Sequence, residues 1–279
     1  MIPSVNEFDF LENKKGGGQN PFFLIAGPCV IENDQLLEEV AKELKELKEK
    51  LNLCILFKSS YDKANRSNIE SFRGPGIKQG LQSLQKIKDQ FGLPVLTDIH
   101  SPEEAELAAE VCDMLQIPAF LSRQTDLLVT AAKTGRWLNI KKGQFMAPLD
   151  ALQVVDKCRR AGNTKVTICE RGYTFGYNNL VVDMRGIEQL RKEGIPVVLD
   201  ATHATQLPGG GAQSGGQREM AFPLARAAAA VGIEGFFMET HPNPPEAKSD
   251  STNQVFLKDF LNYIPQLLAI DELVKGRSS

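Results

Sequence analysis

The chain has 279 residues, and 32 Lys and Arg against 35 Asp and Glu leave a formal net charge of −3, which disfavours a duplex-binding surface and any nucleic-acid partner. Its longest apolar runs, 195–199 and 235–238, are far shorter than a bilayer span, so no membrane partner is expected. Five cysteines without a CxxC pair, and an N-terminus without a basic stretch leading into an apolar one, point to reduced thiols and a cytoplasmic location.

Residues 1–20 are polar and end in Gly16-Gly17-Gly18-Gln19-Asn20, which reads as a short N-terminal extension before a single domain over 21–279. Short apolar runs then alternate with amphipathic stretches. Strands are predicted at 22–26, 54–58, 95–98, 114–117, 138–141, 166–170, 197–200 and 236–239. Helical spacing is found over 34–50, with apolar residues at 36, 37, 40, 41, 44 and 47. It recurs over 102–112, 126–133, 150–161, 186–193, 219–231 and 257–274. Arg191, in the polar stretch 186–193, is expected on the surface. Alternation of this kind requires a parallel sheet, and eight units predict an α/β fold, a closed (β/α)8 barrel of the TIM type. No GxGxxG follows the first strand and no GxxxxGK[ST] occurs, which weakens a dinucleotide or P-loop reading.

The strand ends carry the chemistry. Cys29, Lys58, Asp98, Gln116, Lys141, Arg171, His203 and Glu239 fall at or just beyond the C-termini of the eight strands. That rim is where barrels build active sites. The opposite ends, such as Leu93-Pro94 and Ile195-Pro196, offer nothing comparable. A single lysine at a strand end is commonly a snorkelling surface residue. Lys58, Lys63, Arg66, Lys141 and Arg171 on one rim of an acidic protein instead suggest a phosphorylated, carboxylated substrate. A barrel lysine could alternatively form a Schiff base. Cys29, His203, Glu239 and Asp250 form a donor set suited to a divalent transition metal, although His100 or His241 could replace His203. The remaining cysteines read as packing residues. Two long rim loops, 206–217 (QLPGGGAQSGGQ) and 242–254, read as mobile lids that exclude water, with a phosphate cradle as the alternative.

Eight segments together resemble the 3-deoxy-D-manno-octulosonate 8-phosphate synthases: FFLIAGPCV (22–30), FKSSYDKANRS (57–67), VLTDIHS (95–101), LQIPAFLSRQT (115–125), NIKKGQFMAP (139–148), ERGYTFGYNN (170–179), DATHATQLP (200–208) and METHPN (238–243). The resemblance implies a barrel that condenses phosphoenolpyruvate with D-arabinose 5-phosphate and releases phosphate. The related heptulosonate synthases, which use erythrose 4-phosphate, carry a KPRTS-type segment where this chain has Lys63-Ala64-Asn65-Arg66-Ser67. It further implies that Lys141 and Arg171 hold the phosphate of phosphoenolpyruvate, and that Lys58 meets its carboxylate beside Ser60 and Gln116. Lys63 and Asn65 would contact the sugar. Arg66 and Ser67 would take its phosphate, joined by Arg123 of a neighbouring subunit in a homotetramer. Lys63, Asn65, Asp98 and His203 are the candidate catalytic residues. Cys in the segment GPC marks the metal-dependent members, so the resemblance implies Cys29, His203, Glu239 and Asp250 as ligands. The ion would be Mn²⁺, Fe²⁺, Co²⁺, Zn²⁺ or Cd²⁺.

Overall fold

Eight parallel strands, buried along their whole length, form the centre of the molecule, as expected of strands covered on both faces. A computed structural model describes residues 20–66, 68–209 and 215–276. The strands are β1 (Phe23–Gly27), β2 (Ile55–Lys58), β3 (Val95–Asp98), β4 (Met114–Ile117), β5 (Trp137–Lys141), β6 (Val166–Glu170), β7 (Val197–Asp200) and β8 (Gly235–His241). Each pairs with the next. The ring closes because β1 lies between β2 (Leu24↔Ile55) and β8 (Phe23↔Gly235 through Gly27↔Glu239). The expected (β/α)8 barrel is therefore present.

Helices α1 (Asp34–Leu51), α2 (Ile77–Phe91), α3 (Pro102–Val111), α4 (Thr125–Lys133), α5 (Ala151–Arg160), α6 (Met184–Lys192), α7 (Ala221–Val231) and α8 (Leu257–Val274) cover the outside. The two-residue period of a strand sorts the core into two shells. Phe23, Ile25, Leu56, Leu96, Met114, Trp137, Cys169, Val198 and Phe237 fill the barrel interior. Their neighbours, such as Leu24, Ile55 and Ile168, face the helices. Among the described residues, no helix is long and apolar enough to cross a membrane.

Four features differ from the sequence expectation. Helix α2 was not predicted: Ile77, Leu81, Leu84, Ile87 and Phe91 are spread through a polar stretch, and Gly76 gives no side-chain cap. Strand β8 runs further than expected because Val255–Phe256 pairs beside Thr240 and His241. The two rim loops are not free lids at their bases. In the first, Gln206–Leu207 pairs with Gly215–Gly216 as a hairpin stem, and in the second Gln254 accepts from the Cys29 N–H. Residues 210–214 and 1–19, including nearly all of the expected extension, lie outside the described residues. Finally, Arg191 is not a surface residue. Its guanidinium lies 2.9 Å from Glu234 Oε1 and donates to the Val231 carbonyl, while Glu234 Oε2 accepts from the Val197 N–H. A polar helix end was the wrong guide because its arginine points inward beneath the barrel.

Candidate active site

Closure of the barrel brings the first two units against the last two. Gly27 makes this possible: a Cβ there would collide with the Lys58 carbonyl, so the turn carrying Cys29 can lie directly on the end of β2. Lys58 Nζ then donates to Glu239 Oε1 at 2.6 Å and to the Cys29 carbonyl at 2.8 Å. Lys63 Nζ stands 3.7 Å from the same Glu239 oxygen. On the other side Lys141 Nζ donates to Asp200 Oδ2 at 2.5 Å and sits 3.6 Å from the centre of the Phe237 ring. Asp200 also holds His203, whose Nδ1 is 2.8 Å from Oδ2 and whose N–H donates to Oδ1 at 2.8 Å. That grip aims His203 Nε2 at Asp250 Oδ2 (3.2 Å) and Glu239 Oε2 (3.7 Å).

The donor set is thus assembled from residues far apart in sequence. Cys29, Glu239 and Asp250 present donor atoms within 4.8 Å of one another, and His203 Nε2 reaches two of the three. Cys29 Sγ donates to Ser249 Oγ at 2.9 Å and lies 3.4 Å from Asp250 Oδ2. Burial and the adjacent Asp250 and Glu239 carboxylates push the Cys29 thiol well above its ordinary value. Burial works against the Glu239 carboxylate too, yet Lys58, Lys63 and His203 outweigh it and hold the group far below the usual range. Asp250 is held down at about 2, against its burial, by His203. Glu239 Oε2 is buried and has no hydrogen-bond partner among the described residues. A thiol, an imidazole braced from behind by a carboxylate, and two carboxylates with one buried oxygen unclaimed are a fitting set for a divalent cation.

A second arm runs outward from Asp98. Ser60 Oγ donates to Asp98 Oδ1, and His100 Nε2 lies 3.0 Å from Oδ2. His100 is backed by Glu104, whose Oε2 accepts from the His100 N–H (2.6 Å) and from the Tyr61 hydroxyl (2.7 Å). Burial opposes the charge on His100, but Asp98 and Glu104 raise its pKa to about 10. His100 therefore serves Asp98 and does not replace His203. Nor does His241, whose Nε2 faces Glu32 at 3.7 Å.

Gln116 lies below, accepting from Asn139 Nδ2 at 3.0 Å. Arg171 is buried, with Nη2 donating to Gln206 Oε1 at 2.6 Å and Nε without a hydrogen-bond partner among the described residues. Arg66 stands 3.9 Å from Asp250 Oδ1. Asn65 and Arg123 are exposed, and the single chain does not bury them at the rim. Ser67 lies outside the described residues.

The residues not singled out from sequence are Asp200, Lys142 and Gln254. Asp200 was legible: it ends β7 three residues before His203, the spacing that lets a carboxylate brace the imidazole. Lys142 follows Lys141 but faces outward, with Nζ over the Tyr173 ring at 3.6 Å and 3.6 Å from Glu170, and burial lowers its pKa. Gln254 had no local signal, because its bond to Cys29 spans 225 residues.

A family model described as the DAHP synthetase I family matches residues 6–275. The chain belongs to that family. A relative from Fusobacterium nucleatum named 2-dehydro-3-deoxyphosphooctonate aldolase is 51% identical over 277 residues, covering 99% of each chain. Relatives of the same name from Geotalea daltonii and Polaromonas naphthalenivorans are 54% and 55% identical. They cover 94% and 93% of this chain, and 97% and 93% of their own. The resemblance carried by the eight rim segments is borne out by these full-length matches.

Proposed function

We propose that this chain condenses phosphoenolpyruvate with D-arabinose 5-phosphate, giving 3-deoxy-D-manno-octulosonate 8-phosphate and inorganic phosphate for lipopolysaccharide-type sugar synthesis. One observation carries the reading. Lys58, Lys63, Lys141 and Arg171 form a run of cations around one mouth, on a chain 51–55% identical to relatives of the corresponding name. Two polyanions repel, and bringing them together is the main catalytic task; fixed cations offset that repulsion and hold the reacting carbons in place.

In this reading Lys141 and Arg171 bind the phosphate of phosphoenolpyruvate, and the unpartnered Arg171 Nε is a donor available to it. Lys58 meets the carboxylate, with Ser60 and Gln116 alongside. Lys63 and Asn65 contact the aldehyde end and hydroxyls of the sugar. Arg66 and Ser67 take its phosphate, joined by Arg123 from a second copy in a homotetramer. Carbon C3 of phosphoenolpyruvate attacks the aldehyde carbon, whose oxygen becomes a hydroxyl with one added proton. Positive charge develops at C2, water adds there and loses a proton, and C–O cleavage expels phosphate. Lys63, kept charged against its burial by the facing Glu239, Asp98 and Asp250 carboxylates, steadies the developing alkoxide. In this reading Asp98, backed by His100, handles the protons, while His203, with Nδ1 on Asp200 and Nε2 toward Glu239 and Asp250, serves as a ligand.

Cys29, His203, Glu239 and Asp250 would hold a divalent cation, which when bound supplies Lewis acidity at the aldehyde or at the water. The thiolate and imidazole favour Zn²⁺, Cd²⁺, Co²⁺ or Fe²⁺, and the carboxylates also admit Mn²⁺. A reducing, cytoplasmic setting suits five cysteines that form no disulfide among the described residues.

Phosphate release from phosphoenolpyruvate, measured with each sugar in turn, tests the reading. Arabinose 5-phosphate should exceed erythrose 4-phosphate by about 10²-fold or more in kcat/KM, because a site built to hydrogen-bond a hydroxyl rejects the acceptor lacking it. Equal or faster turnover of the four-carbon sugar overturns it. Borohydride with both substrates should trap no covalent adduct; an adduct at Lys58 or Lys141 would establish a Schiff-base aldolase instead.

A further inference from the structure

Asp250 sits on a segment with little regular structure of its own. Its backbone is left-handed (φ 47°), a conformation uncommon outside glycine, although Asp adopts it more readily than most residues. Two sets of contacts hold it there. From within the segment, the N–H groups of Asn253 and Gln254 both donate to the Asp250 carbonyl at 3.0 Å. From outside, the turn is gripped by the stem of the hairpin after β7 and by the 3-10 turn Arg218–Met220 that follows it. The Arg218 guanidinium donates through Nε to the Gln254 carbonyl and through Nη2 to the Ser251 carbonyl, and lies over the Phe256 ring at 4.9 Å. Gly216, on that stem, packs so closely under the Asn253 side chain that a Cβ would collide with it. Asn253 in turn donates to the Thr202 carbonyl at 3.4 Å, next to His203.

The carboxylate needs this restraint. Asp250 Oδ2 lies beside the Cys29 sulfur and shares the mouth with Glu239, whose charge repels it. Its other oxygen is drawn outward toward Arg66 Nη1 at 3.9 Å. A segment free to move would follow the arginine and open the donor set.

We infer that Arg218 is a positioning residue for Asp250: by clamping the Ser251 and Gln254 carbonyls, its guanidinium sets the spacing between Asp250 and Cys29. The inference rests on the metal reading above. Arg218 itself has no contact with the four donor atoms, so it acts only through the backbone that carries one of them.

The test uses full-length protein stripped of metal and titrated with Co²⁺, following the thiolate-to-cobalt absorption band. Phosphoenolpyruvate affinity and thermal unfolding are measured in parallel. Arg218→Met should weaken Co²⁺ binding about 10- to 100-fold and diminish the band, the scale expected when a group that orients a ligand is lost. Phosphoenolpyruvate affinity should change less than about twofold, as for a separate site. Arg218→Lys, able to reach one carbonyl, should recover part of the affinity, and Gly216→Ala should weaken Co²⁺ in the same direction as Arg218→Met. If Arg218→Met does not fold, Arg218→Lys and Gly216→Ala carry the comparison. A wild-type band that depends on Cys29, with Co²⁺ affinity unchanged in the variants, overturns this inference alone. A wild type without that band overturns the metal reading and this inference with it.

Discussion

The two ends of the barrel use buried charge in opposite ways. At the end where the strands begin, each carboxylate is spent on the backbone. Asp113 accepts from the Val95 N–H at 2.9 Å and pairs with Lys88 at 2.7 Å. Glu234 accepts from the Val197 N–H and pairs with Arg191, both at 2.9 Å. Asp271 accepts from the Phe22 N–H at 3.3 Å and pairs with Lys275 at 2.7 Å. Each trio ties the start of a strand to a helix. At the opposite rim the charges pair with one another, Lys58 with Glu239 and Lys141 with Asp200, and some valences, Arg171 Nε and Glu239 Oε2 among them, have no hydrogen-bond partner among the described residues. Closed trios stabilise the fold, whereas unclaimed valences are what a ligand can use.

That contrast predicts which changes cost activity and which cost stability. The largest effect should come from the rim: Arg171→Ala should lower kcat/KM by roughly 10²- to 10³-fold, as when a donor to developing charge is removed. Its unfolding midpoint should stay near that of the wild type. Calorimetric titration with phosphoenolpyruvate checks the affinity, and undiminished binding would break the assignment of the anion site. Metal removal should be next. Protein stripped to below about a tenth of an ion per subunit should be nearly inactive and regain activity with Mn²⁺, Co²⁺ or Zn²⁺ to different degrees. Cys29→Ala should weaken metal binding and activity together; full activity in stripped wild type would return Cys29 to a packing role.

The other end should behave inversely. Arg191→Ala should destabilise the fold by about 2–4 kcal/mol, since it strands the buried Glu234 carboxylate. Phosphoenolpyruvate affinity should be unaffected, and urea unfolding followed by calorimetry on the same sample separates the two. The smallest effect concerns pH. His100 is held protonated by Asp98 and Glu104, with its pKa raised from 6.5 to about 10. Its stabilising contribution is therefore complete below pH 6.5 and lost as pH rises through 10. The stability difference between wild type and His100→Asn should shrink across that interval; a difference that grows with pH would contradict the ion pair.

Much of this was legible locally. The eight strand runs are found within two residues of their predicted limits, because a fully buried parallel strand reads as an unbroken apolar run. The polar residues at their ends mark the rim for the same reason: they are where the runs stop. Arg191 and Lys142 show where this guidance fails. Arg191 lies in a stretch that looks solvated, and Lys142 differs from Lys141 only by one step of the strand period, which turns it away from the mouth and under Tyr173.

By itself the sequence determined the barrel, the rim and the residue types gathered there, since periodicity and strand ends are short-range properties of the chain. Only the tertiary structure decided which of those residues meet. Cys29 and Asp250 are separated by 221 residues, and Lys58 and Glu239 by 181. Such pairs exist because the closing of the ring sets β1 between β2 and β8, and no local pattern encodes the angle at which each side chain then enters the mouth. The same closure decides which histidine lies nearest those carboxylates. His100, His203 and His241 all lie at the rim, but only His203 has Asp200 behind it and Glu239 and Asp250 in front.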